Sequence, residues 1–448
     1  MPPSQAPIHA KKREINEKKL TKRNEEKMNS KTSVNSADGA RAKASITDPK
    51  YRLGFILVTT LFFMWGLSYG LVDVLNKHFQ EALHITKAQS GLIQAAYFGA
   101  YFVIALPAGI FISKKGYKAG IIMGLSLYAL GALLFVPASS VMSFGFFLFA
   151  LFVLALGLGF LETAANPYAS ALGDPSTAET RLNLSQSFNG LGQFFGPLIG
   201  GMFFFEGKEA AANGGGAGAV TLTYVGIAIV VMALIAMFAK TKLPDLREAE
   251  AALDAQNAGK QHKSLASHKE FVWGVVTLFF YVAAQVGVGA FFINLATETW
   301  QGLTTQKASY LLSIAMLAFM FGRFISTGIM TKIPASKLLS IYAVINVILC
   351  AVVMTGMAGV STYAAIAIFF FMSIMFPTIF AMGVKNLGSQ TKIGSSFMIM
   401  AIVGGAIMPY FMGKLADGQH TAFSYVLPLV CFIIVVIYGA LYPKLNQA

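Results

Sequence analysis

Apolar runs long enough to cross a bilayer recur twelve times along the chain. They lie at roughly 52–79, 89–112, 119–137, 144–172, 182–205, 219–239, 271–297, 306–330, 336–357, 361–386, 393–415 and 421–442. A membrane-spanning helix needs about 20 mainly apolar residues, so each run predicts one span. The first and fourth exceed that length, which predicts tilt or extension beyond the lipid. Most links are short. Two are not: the Gly/Ala-rich 206–218 and the polar 240–270. The second separates the sixth span from the seventh.

The pattern therefore predicts an all-α polytopic membrane protein with twelve transmembrane helices in two six-helix halves. Its predicted parts are a disordered basic tail over 1–50, a first half over 51–240, a linker over 241–270 and a second half over 271–448. The halves echo each other weakly. Pro167 in the fourth run matches Pro377 in the tenth, and Phe195-Gly-Pro in the fifth matches Met408-Pro-Tyr in the eleventh. Two such repeats around a central site are one recurring transporter architecture.

Composition strengthens this picture. Of 448 residues, 56% are hydrophobic and 12% charged, against about 25% charged in soluble domains. The net charge of +14 is uneven: residues 1–50 carry 12 Lys/Arg against 6 Asp/Glu. That tail mixes both signs, has few apolar residues, and cannot bury enough surface to fold alone. Anionic lipid is one contact it could make. Basic residues interleaved with aromatics do not recur elsewhere, so no nucleic-acid partner is expected. Lys/Arg-rich loops fall on the tail's side: Lys114, Lys115, Lys118, Arg181, the 240–270 link, Lys332, Lys337, Lys385 and Lys392. By the positive-inside rule both termini are cytoplasmic. No cleavable signal peptide is evident.

Ionisable groups at membrane depth are costly and normally mark a pathway. Two carboxylates stand out, Asp73 in the first run and Glu162 in the fourth. Asp73 shares a helix face with Trp65, Tyr69 and Asn76, and Glu162 with Asn166 and Ser170. The second run aligns Gln94, Tyr97 and Tyr101, and the fifth aligns Asn183, Gln186, Asn189 and Gln193. The seventh adds Tyr281, Gln285, Phe291, Phe292 and Asn294. Amides and carboxylates match the donors and acceptors of a hydroxyl-rich solute, and aromatic faces cover its C–H surface.

Simpler roles exist for each group. Asp73 could pair with Lys77 one turn on. Glu162 could be a structural carboxyl, and the amides could be interhelical glue. Burial disfavours a carboxyl's charged form, so either acid could bind a proton on one side and release it on the other. No sodium site, metal-spaced pair, catalytic constellation or phosphate-cradling loop is evident. Neither an enzyme nor a cofactor is expected. Glycines including Gly91, Gly99, Gly157, Gly159, Gly190, Gly192, Gly200, Gly201, Gly287 and Gly289 lie within the runs, where small residues allow helices to approach. Cys350 and Cys431 read as buried free thiols.

The block Gly157-Leu-Gly-Phe-Leu-Glu-Thr-Ala-Ala-Asn-Pro-Tyr resembles the L-fucose:proton symporter family of the major facilitator superfamily, as does Arg181-Leu-Asn-Leu-Ser-Gln-Ser-Phe-Asn. Gly91-Leu-Ile-Gln, Pro107-Ala-Gly-Ile, Tyr117-Lys-Ala-Gly-Ile-Ile and Leu387-Gly-Ser-Gln-Thr-Lys-Ile-Gly-Ser-Ser add to it, over about 52–442. The resemblance implies alternating access in a twelve-helix fold and import of L-fucose or another hexose with protons. It places the family's two functional carboxylates on Asp73 and Glu162 and its fifth-helix glutamine on Gln186. The stretch Tyr69-Gly-Leu-Val-Asp73 lacks the asparagines found in fucose members. Gln285 stands where many hexose members have Glu, and Ser113-Lys-Lys-Gly-Tyr-Lys lacks the usual Asp and Arg. The sugar is thus open between L-fucose, glucose and galactose. The basic tail is similar to that of fungal members, which implies the plasma membrane.

The expected function is a monomeric proton-coupled monosaccharide symporter. Asp73 and Glu162 would couple protons. Trp65, Tyr69, Asn76, Gln94, Tyr97, Asn166, Gln186, Asn189 and Gln285 would bind the sugar. The alternatives are a non-transporting sugar sensor, or a uniporter or exporter of another small polar solute.

Overall fold

A computed structural model describes residues 47, 49–173, 178–205, 215–243, 264–330, 332–385, 387 and 390–445. The predicted tail up to residue 46, and 244–263 of the predicted linker, lie outside these residues. Twelve helical columns run through the described residues. The first half holds α1 (Arg52–Ala82), α2 (Leu92–Lys115), α3 (Tyr117–Val141), α4 (Phe144–Ala171), α5 (Ala178–Phe204) and α6 (Gly215–Lys240). The second begins with α7 (Lys269–Thr299), α8 (Thr305–Met330) and α9 (Ala335–Met354). Next, α10 comprises Val360–Met372 and Met375–Val384; α11 comprises Thr391–Met400, a 3-10 turn and Gly404–Gly418; α12 comprises Thr421–Ser424 and Val426–Leu445.

Eleven of these columns are long and apolar enough to cross a membrane. The other, α5, falls short because Asn183, Gln186, Asn189 and Gln193 dilute its apolar surface. Local chemistry sets the turns. Thr86 closes a capping box with Gln89 at the turn before α2, satisfying two amides that a helix start leaves free. Ser143 caps α4 through the Phe146 amide. Gly116, at φ 86, ends α2 and lets α3 start at once.

Within the first half α1 packs on α5, α3 on α4 and α6, and α2 on α4; within the second α9 packs on α10 and α12, α8 on α10, and α7 on α12. The halves meet through α5–α8, α2–α11 and α1–α7, while α4 and α10 make no comparable contact with each other. Twelve crossings put both described ends, Thr47 and Leu445, on one side of the bundle. The tightest contacts between halves lie at the opposite end. A Cβ on Gly91 would come 2.6 Å from the Tyr410 amide nitrogen, and one on Gly413 would come 2.4 Å from the Lys87 carbonyl. The bundle is thus drawn shut at the end remote from the termini.

Candidate functional site

The α1–α5 seam fixes the first half of the site. Gly66 and Gly70 on α1 interleave with Gly192 and Gly196 on α5, two small-xxx-small pairs. A Cβ on Gly66 would fall 1.9 Å from the Asn189 carbonyl oxygen, and one on Gly192 would fall 2.2 Å from that of Phe63. This approach lets the Asn189 amide donate to the Phe62 carbonyl at 3.2 Å, and the Gln193 amide to Asn189 Oδ1 at 2.8 Å. One turn nearer the termini, Gln186 donates to Asn166 Oδ1 at 3.3 Å, and Asn166 to the Glu162 carbonyl at 3.1 Å. The fifth-helix stripe therefore joins the fourth-helix stripe. The side chains of Ser170 and Asn183 lie outside the described ones.

Glu162 is half-buried and lines a small cleft with Leu61, Phe62, Trp65, Leu161 and Ala165. Beside it the α2 tyrosines form a polar-edged aromatic strip. The Tyr97 and Tyr101 rings are 5.4 Å apart. Both hydroxyls are buried, facing each other and, for Tyr101, the Trp65 side chain. Glu162 lies close enough to act on both electrostatically, and Asp73 close enough to act on Tyr97 and Tyr69. The strip thus runs from one carboxyl to the other. Tyr69 meets Phe98 edge-on at 6.0 Å and faces Gln285 on α7.

Asp73 sits deeper, 2% exposed. Its Oδ2 has no hydrogen-bond partner among the described residues, and the wall in front of it is Gly289 of α7. Lys77 reaches Glu81 at 3.4 Å instead. Neither Asp73 nor Glu162 forms an ion pair among the described residues, so ionising either would leave a charge uncompensated inside the bundle.

Two predicted contact residues are placed apart from the Glu162 cleft. Asn76 and Gln94, both fully buried, belong to a network at the shut end. The Asn76 amide donates to Gln94 Oε1 at 3.1 Å and to the Ser90 carbonyl at 3.2 Å. The Gln80 amide donates to Asn76 Oδ1 at 2.8 Å, and that of Asn294 to Gln80 Oε1 at 2.6 Å. Phe292 packs edge-on against Phe369 of α10. Gln94 also borders Asp73 and links the network to the carboxyl.

Sequence reasoning missed Arg323. It is a lone cation well inside α8, and the depth rule that singled out the carboxylates applies to it equally. Its Nε donates to the Ser373 carbonyl at 3.2 Å, and its guanidinium lies 5.0 Å from the Phe319 ring centre. Also missed was the polar clasp at the shut end, which joins residues more than 200 positions apart. Among the described residues no group of three or more His, Cys, Asp or Glu could hold a metal.

The family model described as "Major Facilitator Superfamily" matches residues 55–409. This chain belongs to that superfamily. Within it the chain is 38% identical over 401 residues to a glucose/galactose transporter of Brucella abortus, covering 89% of this chain and 96% of the relative. It is 36% identical over 406 residues to the L-fucose-proton symporter of Escherichia coli, covering 87% and 93%. The solved structure of the latter, FucP in its outward conformation, matches with a TM-score of 0.63 at 34% identity over 88% of this chain and 99% of that one. A D-xylose-proton symporter at 13% identity shares the fold, with a TM-score of 0.68 over 88% and 97%. These relatives place the chain in the facilitator family that holds the fucose and glucose/galactose carriers. It is an integral membrane protein of a transporter family, not an enzyme.

Proposed function

We propose that the chain is a proton-coupled symporter that imports a monosaccharide, L-fucose or a related hexose such as glucose or galactose, by alternating access. One observation carries this reading: two carboxyls sit inside the bundle, without a counter-cation among the described residues, at either end of a strip of tyrosines. A solute in the cleft would meet Glu162, Trp65, Gln186 and Asn166, with Tyr69, Tyr97, Asn189 and Gln285 beyond. The amides and carboxyl suit sugar hydroxyls, and the rings suit its C–H faces. Asn76 and Gln94 would act at the deeper, shut end, beside Asp73. Proton binding at Asp73 or Glu162 neutralises a charge that costs free energy in a closed bundle, so protonation favours closure and coupling follows. The relatives are named for glucose/galactose and for L-fucose with protons, which supports the substrate class and leaves the choice of hexose to assay. Termini in the cytoplasm, residence in the plasma membrane and action as a monomer are part of the same proposal. So is the division into a basic tail over 1–50, halves over 51–240 and 271–448, and a linker between.

The test is uptake into proteoliposomes under an imposed pH gradient, with a panel of labelled sugars. Wild type is expected to accumulate one or more hexoses uphill. Glu162→Gln is expected to keep sugar exchange and lose pH-driven accumulation. Uphill uptake unchanged in that variant would reject the coupling role.

A further inference from the structure

Two prolines at matching places in the halves behave differently. α4 runs unbroken through Pro167, but α10 stops at Met372 and resumes at Met375, two residues before Pro377. A proline has no amide hydrogen, so Pro377 leaves the carbonyl four residues back, that of Ser373, without a helical donor. Helix interiors rarely leave such groups unpaired at membrane depth. Here the missing donor comes from another helix: Arg323 Nε of α8 donates to the Ser373 carbonyl at 3.2 Å. The preceding rung is bridged as well. The Tyr281 hydroxyl of α7 donates to the Met372 carbonyl at 3.0 Å, and the Phe376 amide faces the same hydroxyl. Arg323 and Tyr281 also act on each other electrostatically. α8 comes close enough for this because position 322 is glycine: a Cβ there would lie 2.7 Å from the Phe370 carbonyl oxygen and 2.8 Å from Ser373 Oγ.

We propose that this is a braced joint. Arg323 is a positioning residue that sets the angle between the two α10 segments, and so governs how the second, Met375–Val384, moves at the end of the bundle that carries the termini. The arginine acts through the Ser373 carbonyl and not by touching the solute. A flexible joint needs its freed carbonyls satisfied in each position, and a long guanidinium can follow a moving acceptor while keeping its bond. The proposal rests on the transport reading for its purpose, though not for its geometry.

The test is a double-variant cycle of Arg323→Gln and Pro377→Ala, with Arg323→Lys as the conservative control. Position 377 as alanine supplies the amide that Ser373 lacks. In reconstituted, protein-normalised uptake, Arg323→Gln is expected to lower the maximal rate roughly tenfold, with the half-saturating sugar concentration little changed. Arg323→Lys, which keeps a charged donor, should retain most of the rate. Combined with Pro377→Ala, the glutamine should cost much less than it does alone. Equal fold losses in both backgrounds, a loss confined to half-saturation, or a wild-type rate for Arg323→Gln would each overturn the joint. Melting of the purified variants in detergent gives a second reading. Pro377→Ala should shrink the drop caused by Arg323→Gln, and an undiminished drop counts against the proposal. That cycle holds even where wild type moves no sugar tested, a result that would sink the sugar reading alone.

Discussion

Asp73 faces a wall with no room for a methyl group. A Cβ on Gly289 would lie 2.7 Å from Asp73 Oδ2 and 3.2 Å from its Cγ, so the short buried carboxyl itself would have to move. One turn-half away, a Cβ on Gly287 would meet the Met412 and Met408 side chains, which can repack. The pair makes a controlled experiment. Gly289→Ala is expected to cut uptake per reconstituted protein by about tenfold or more, since crowding in a packed interior costs about 1–3 kcal/mol. Gly287→Ala should stay near wild type. Equal initial rates for the two would show that the space before Asp73 is not critical. The carboxyl stripes were legible in the sequence because helical spacing alone aligns Asp73 with Tyr69, and Glu162 with Asn166. That Lys77 takes Glu81 and leaves Asp73 without an ion pair among the described residues was not legible: both pairings satisfy the same four-residue spacing, and only the packing of α1 against α7 separates them.

At the scale of the helix, the strongest determinant is the α1–α5 glycine seam. Backbone atoms, which cannot rotate aside, meet any side chain added at Gly66 or Gly192. Gly66→Ala or Gly192→Ala should therefore lower the melting point of the purified protein, by the equivalent of about 1–3 kcal/mol. Gly99 on α2 and Gly226 on α6 have nothing among the described residues within 4 Å of an added Cβ, so alanine there should be neutral or slightly stabilising through helix propensity. Melting curves that failed to separate the two pairs would count against the seam. Hydropathy located all the columns to within a few residues, because burial in lipid demands a long apolar run whatever the tertiary fold. Of the four seam glycines the sequence singled out Gly192 and not Gly66, Gly70 or Gly196, since a glycine's partner lies on another helix. The break in α10 was hidden for the same reason. Pro167 and Pro377 look alike in sequence, and what distinguishes them is the donors that α7 and α8 bring to Met372 and Ser373.

For the molecule as a whole, a polar clasp bridges the halves at the end remote from the termini. The Asp417 carboxylate on α11 accepts the Lys87 and Ala88 backbone amides, each at 2.9 Å. Lys87 Nζ reaches Glu298 of α7 at 2.7 Å and the Ala416 carbonyl at 3.2 Å, and Glu298 also accepts from the Thr421 amide and hydroxyl. Across the seam Thr305 donates to Glu81 at 2.9 Å. A partly exposed ion pair such as Lys87–Glu298 contributes at most about 1 kcal/mol. The hydrogen bonds to the Asp417 carboxylate carry more, about 1.5–3 kcal/mol each. A carrier that alternates must keep such a clasp weak enough to break within a cycle, so removing one element should shift the population measurably without unfolding either half. Asp417→Ala is expected to speed reaction of a soluble thiol reagent with Ala296→Cys, buried at the shut end, in a background lacking Cys350 and Cys431. Labelling at the unchanged rate would show that backbone packing at Gly91 and Gly413 holds that end closed without the carboxylate. High salt separates the two kinds of contact within the clasp: it screens Lys87–Glu298 but not the close glycine contacts. Labelling that rises with salt in wild type and no longer does so in Lys87→Gln would assign the ion pair its share of the closure.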